Sequence, residues 1–190
     1  MKSFLTGIGI VAAIALIAVG WIISQRNGLI ALDEDVNKAW SDIDTQLQRR
    51  MDLIPNLVST VKGYATHEEE VFTGIADARS KLAGAQTPAA KAEADAALTS
   101  SLSRLLVIAE NYPELKANEN FIRLQDELAG TENRIAVSRK RYNDGVKRYN
   151  MTIRQFPGSM FAGSLGLSTR EYFEPPQGHD AVVNAPKVQF

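Results

Sequence analysis

Apolar residues recur along most of this chain in steps of three and four, the spacing of one helix face. After Gly28 the series runs Leu32, Val36, Trp40, Ile43, Leu47, Ile54, Leu57, Val58 and Val61. Arg49, Arg50, Asp52 and Lys62 read as lying largely off this stripe. Pro55 interrupts the run, because an interior proline removes one backbone hydrogen bond and clashes with the carbonyl four residues back, at Met51. The apolar period keeps its phase across the proline, so a kink and not a break is expected. Gly63 weakens the helix end and supplies a second joint.

"THEE" then restarts a helix, with Thr66 as N-cap and Glu69 three residues on, a capping box. Glu68, Glu69 and Glu70 fill the first turn, where the helix dipole favours negative charge. This second helix carries Val71, Phe72, Ile75, Ala78 and Leu82 inward and ends near Gly84. Thr87 as cap and Pro88 at the first helical position open a third helix. Ala94, Leu98, Leu102, Leu105 and Ala109 share one side of it, and Asn111-Tyr112-Pro113 ends it.

A fourth helix carries Phe121, Leu124, Leu128, Thr131, Ile135, Ser138, Tyr142, Gly145, Tyr149, Thr152 and Phe156, a heptad period that predicts coiled-coil-like packing. Pro157-Gly158 stops it. Four helices joined by short turns predict an all-α fold, an antiparallel up-down four-helix bundle over residues 28–158. Residues 159–190 read as an irregular or extended C-terminal tail, with Phe161, Leu165, Leu167, Tyr172 and Phe173 as docking points. Its ending, "AVVNAPKVQF", reads as disordered, with an extended segment added to a neighbour as the alternative.

The first 27 residues show no amphipathic pattern. Ser3 to Ser24 contains no charged residue, and a helix of that length crosses a ~30 Å hydrocarbon core. A secretory signal peptide has a shorter apolar run and a small-x-small cleavage site, which this segment lacks. An uncleaved transmembrane anchor is expected, with Trp21 at the interface. Gly9 and Ala13 form a small-xxx-small pair that could bring spans together. Lys2 precedes the span while Arg26 and Lys38 come after it, close to a tie that leans towards an extracytoplasmic domain.

Composition narrows the chemistry. Lys and Arg number 21 against 22 Asp and Glu, which leaves no global electrostatic footprint for nucleic acid. The absence of cysteine excludes disulfides, thiolate metal sites, cysteine lipidation and a thiol nucleophile. "HEEEV" fails the zinc-protease pattern, since Val71 stands where the second histidine belongs. A di-iron bundle needs two Glu-x-x-His motifs, and His67 is the one histidine in the predicted bundle, His179 lying beyond it. "GSMFAGSLG" lacks the Lys-Ser/Thr of a phosphate loop. No nucleophile stands beside a base, so neither cofactor, metal nor catalytic residue is assigned. The basic run "SRKRYND" reads as a solvated or internally paired face.

Two long stretches carry a family likeness: "AWSDIDTQLQRRMDLIPNLVSTVKGYATHEEEVF" at 39–72 and "NYPELKANENFIRLQDELAGTENRIAVSRKRYNDGVKRYNMTIRQFP" at 111–157. With "EYFEP" and the closing "PKVQF", the chain resembles the LemA family of bacterial membrane proteins. The resemblance implies one N-terminal span, an antiparallel four-helix bundle and no established catalytic activity. It also implies an analogy with a relative used in building magnetosome membranes, which points to membrane organisation.

The function expected is that of a non-enzymatic, single-pass scaffold in the bacterial inner membrane. Copies associate as a homo-oligomer on the lipid bilayer, through Arg49, Arg50, Asp52, Glu132, Arg134, Arg139, Arg141, Asn143 and Asp144. Pairing of these residues inside one bundle is the competing account. The alternative function is a monomeric tethered adaptor or sensor that binds another membrane protein, with Pro55 and Gly63 as hinges.

Overall fold

A computed structural model describes residues 2–65 and 67–174 of the chain, and among them every regular element is helical. The elements are α1 (Lys2–Lys62), α2 (Glu69–Gly84), α3 (Pro88–Ala109), α4 (Pro113–Lys116), α5 (Glu119–Arg154) and α6 (Gly158–Ala162), with a 3-10 turn, Gly163–Leu165, directly after α6. The helix α1 runs unbroken through Gly28 and Pro55, so no turn separates its apolar segment from its amphipathic one. Thr66, His179 and the ending "AVVNAPKVQF" lie outside the described residues. The helix α2 starts at Glu69 with Glu68 as N-cap and no side-chain cap bond.

Other ends obey local chemistry. The Thr87 hydroxyl accepts from the Ala90 amide at the start of α3, with Pro88 in the first turn. Asn118 caps α5, its Oδ1 accepting from the amides of Asn120 and Phe121.

The chain divides into two compact units, one of the chain up to Ala39 with Asp144–Arg170, the other of Trp40–Asn143 with the segment from Glu171 on. In the second unit the buried stripe of α1 is Ile43, Leu47, Arg50, Ile54, Leu57 and Val61. Steps of four, three, four, three and four place Arg50 in phase with this stripe, which corrects its reading as an off-stripe residue. In α3 the buried series is Asp95, Leu98, Leu102, Leu105 and Ala109, so Asp95 too stands in an apolar register. Phe72, Ile75, Ala78 and Leu82 line the buried face of α2.

In the first unit the end of α5 runs antiparallel to α1. A side chain added at Gly145 would meet Val36, and one added at Gly158 would meet Leu29. Here the buried positions of α5 are Gly145, Val146, Tyr149 and Ile153. The expected line holds at Gly145 and Tyr149, which are buried, but beyond Tyr149 burial shifts by one position from Thr152 to Ile153, and Phe156 is 75% exposed. Past the helix end the chain turns into α6 instead of going directly into irregular structure. Gly158 is required there: a Cβ would sit 2.1 Å from the Thr152 carbonyl oxygen. Gly166 closes the 3-10 turn in the left-handed region, at φ 68°.

Candidate functional site

The most unusual group in the second unit is Arg50, an arginine 4% exposed on a stripe of leucines and isoleucines. A buried guanidinium must be paired and hydrogen-bonded, since desolvation of an isolated charge costs several kcal/mol. Its Nη1 donates to Asp95 Oδ1 at 2.7 Å and its Nη2 to Thr99 Oγ1 at 3.0 Å. Glu132 Oε2 stands 2.6 Å from the same Nη1, close enough for an ion pair but off the hydrogen-bonding direction. One cation on α1 thus holds carboxylates from α3 and α5.

Burial pushes the Asp95 carboxyl above its ordinary value of 3.8. The attraction of Arg50 opposes that rise, and the negative charge of Glu132 adds to it. No sequence motif marks Asp95, although its position three residues before Leu98 and four before Thr99 places it on the buried face.

Asp42, Gln46, Asn133, Arg134, Val137, Ser138 and Arg141 line an open groove of about 460 Å³. Arg134 and Arg141 are exposed, and Gln46 Oε1 is buried with no hydrogen-bond partner among the described residues. Arg49, also exposed, bonds Glu127 at 2.7 Å, and Asp52 accepts from Gln48 one turn earlier. Arg139 and Asp144 are exposed on α5.

Asn143 has a different task. Its Oδ1 accepts from the Phe173 amide at 2.9 Å, while Tyr142 donates its hydroxyl hydrogen to the Glu171 carbonyl at 2.9 Å. Phe173 is 2% exposed, its ring 6.1 Å from that of Trp40, whose own centroid lies 5.4 Å from Tyr142. Lys91 sits over the Trp40 ring and pairs with Asp44. The "RYND" stretch and Glu171–Glu174 therefore meet each other.

In the first unit the Arg170 guanidinium bonds Asp33 at 2.8 Å and Asn37 at 3.3 Å, while its backbone amide donates to Asn150 Oδ1 at 2.9 Å. The hydrogen bond to Asp33 raises the Arg170 pKa, against burial. Burial raises that of Tyr149, and Asp33 adds to the rise.

Gly9, Ala13, Trp21 and Ser24 are exposed along α1, and Ser3 lies in its first turn. This helix is long and apolar enough to cross a membrane. Pro55 lies within α1, and Gly63 in the turn after it. His67 is exposed. Among the described residues no three His, Asp or Glu side chains gather as metal ligands.

The LemA family model matches residues 39–190. The chain is similar to magnetosome protein MamQ 2 of Paramagnetospirillum magneticum, 25% identical across 95% of this chain and 75% of that protein. It is similar to magnetosome protein MamQ of Magnetospirillum gryphiswaldense, 24% identical across 98% of this chain and 77% of that protein. Protein LemA of Metamycoplasma hominis is 24% identical across 80% of this chain and 70% of its own length. The match takes in the Arg50 network, the groove beside Arg134 and Arg141 and the docking of Phe173 alike, and the chain belongs to the LemA family.

Proposed function

We propose that this is a non-enzymatic membrane scaffold: an antiparallel four-helix bundle on one N-terminal span, whose copies associate side by side in the bilayer. The observation that carries the bundle is the Arg50 network. It ties α1 to α3 and α5 at one point, while Arg79 of α2 donates to the Met51 carbonyl of α1. A bundle held by an internal ionic layer keeps its outer residues available for other chains. The groove lined by Asp42, Arg134 and Arg141 offers both charge signs and an unpartnered acceptor in Gln46, the composition a self-complementary contact needs. The magnetosome relatives support a setting in membrane organisation.

The test is the particle mass of the full-length chain in mild detergent, beside the Arg134→Glu/Arg141→Glu double variant. A large assembly that falls to single copies in the variant, with helix content and melting unchanged, is the expected result. A native chain that is already monomeric would remove self-association and leave the tethered adaptor.

A further inference from the structure

The exposed apolar surface of the first unit does not end with the span. Phe156 is 75% exposed and Met160 66%, and both fall at the junction of α5 and α6. Large apolar side chains exposed together, four residues apart and next to an apolar span, mark an interaction surface in a way that single ones do not. Two neighbours of these residues, Gly158 and Phe161, are placed along α1. Gly158, at the start of α6, lies against Leu29. Phe161, near its end, meets Trp21 edge-on with ring centroids 6.2 Å apart. Eight residues of α1 separate those contacts, about 12 Å along its axis, so α6 descends towards the span.

Trp21 lies three residues inside the uncharged segment that ends at Ser24. The far end of α6 therefore reaches the level of the interface tryptophan. Exposed basic residues accompany it, Arg26 on α1 and Arg154 at the end of α5. Aromatic and apolar side chains with basic residues close by in the chain match the boundary between acyl chains and phosphate headgroups.

We infer that the Phe156–Phe161 segment is a second membrane contact, a short interfacial foot that inserts Phe156 and Met160 into the lipid boundary beside the span. The covering partner is lipid because this surface is continuous with the exposed apolar face of α1 through the Trp21–Phe161 contact. The inference rests on the anchor reading. Its consequence is orientational: two contacts on one unit resist tilting and rotation, which a single span does not.

The absence of native cysteine makes the test direct. Met160→Cys, Ile17→Cys and Lys147→Cys variants of the full-length chain, each carrying an environment-sensitive fluorophore, are reconstituted in phosphatidylcholine–phosphatidylglycerol vesicles. Brominated acyl chains are then introduced as quencher. Ile17 lies in the span, and Lys147 is exposed on α5 about 13 Å before Phe156. The expected result is loss of fluorescence from the labels at 160 and 17, and none at 147. A label at 160 that behaves like 147 while 17 is quenched overturns the foot and leaves the anchor intact. A label at 17 that escapes quenching overturns both. In a second measurement, Met160→Asp should abolish quenching of a label at Phe156→Cys without lowering the melting temperature. Unchanged quenching would overturn insertion.

Discussion

The Arg79 guanidinium donates through Nε to the Met51 carbonyl at 3.1 Å. Met51 is the residue four before Pro55, so its carbonyl is the one that the proline's missing N–H leaves without its helical donor. A side chain from α2 replaces that donor, which accounts for a proline inside an unbroken helix. The consequence is a thermodynamic coupling. Arg79→Ala should cost about 1 kcal/mol in the native background. Pro55→Ala should stabilise the chain by about 2 kcal/mol and remove most of the Arg79 effect. Urea midpoints of the four members of the cycle measure the coupling, and additive effects would refute it.

Arg50 is a stability residue before it is anything else. Removing one partner of a buried ion pair leaves an uncompensated charge, so Arg50→Ala should cost about 3–5 kcal/mol. Arg50→Lys should recover only part of this, because an ammonium cannot reproduce the two-nitrogen fork that reaches Asp95 and Thr99. Chemical unfolding of both variants checks the order. A charge reversal at this position tests the core and not the surface.

Asp95 should give the chain an unusual acid-range response. A carboxyl whose folded pKa lies above its unfolded value binds its proton more tightly in the folded state. Its contribution to stability is fully present below 3.8 and declines as pH rises through the raised folded value, opposite to an ordinary surface carboxylate. The difference in unfolding free energy between the native chain and Asp95→Asn should therefore fall as pH rises across this range. A difference that rises would show that Arg50 outweighs burial.

Docking of the tail rests on few bonds. Asn143→Ala removes the acceptor of the Phe173 amide, a part-buried hydrogen bond, and should cost about 1–3 kcal/mol. The sharper readout is hydrogen exchange. The Phe173 amide should be protected in the native chain and exchange at least tenfold faster in the variant, since 1.4 kcal/mol corresponds to about a factor of ten.

Gly158→Ala should destabilise the first unit by about 1–3 kcal/mol, because its Cβ would overlap the backbone carbonyl of Thr152 and no rotamer change can relieve that clash. A melting curve is sufficient. Gly163→Ala, open on every side at the end of α6, is the matched control.

Much of the architecture was legible in the sequence because its causes are local. Apolar period, the Thr87–Pro88 start and the Pro157 stop determined the helices, and an uncharged run of membrane length determined α1 as a candidate span. The tertiary structure decided what the polar residues do. Arg50 and Asp95 keep the apolar phase, yet period alone cannot say that a charge is buried, because that depends on a partner 45 residues away. Asp33 and Arg170 meet across 137 residues, and the Met51 carbonyl finds its donor on another helix. Phe156 shows the converse: it continued the heptad through the buried Gly145 and Tyr149, but the last buried position of α5 is Ile153 and the Phe156 ring is left exposed. A helix forms from its own residues, whereas burial of a charge or exposure of a ring is set by what the rest of the chain brings against it.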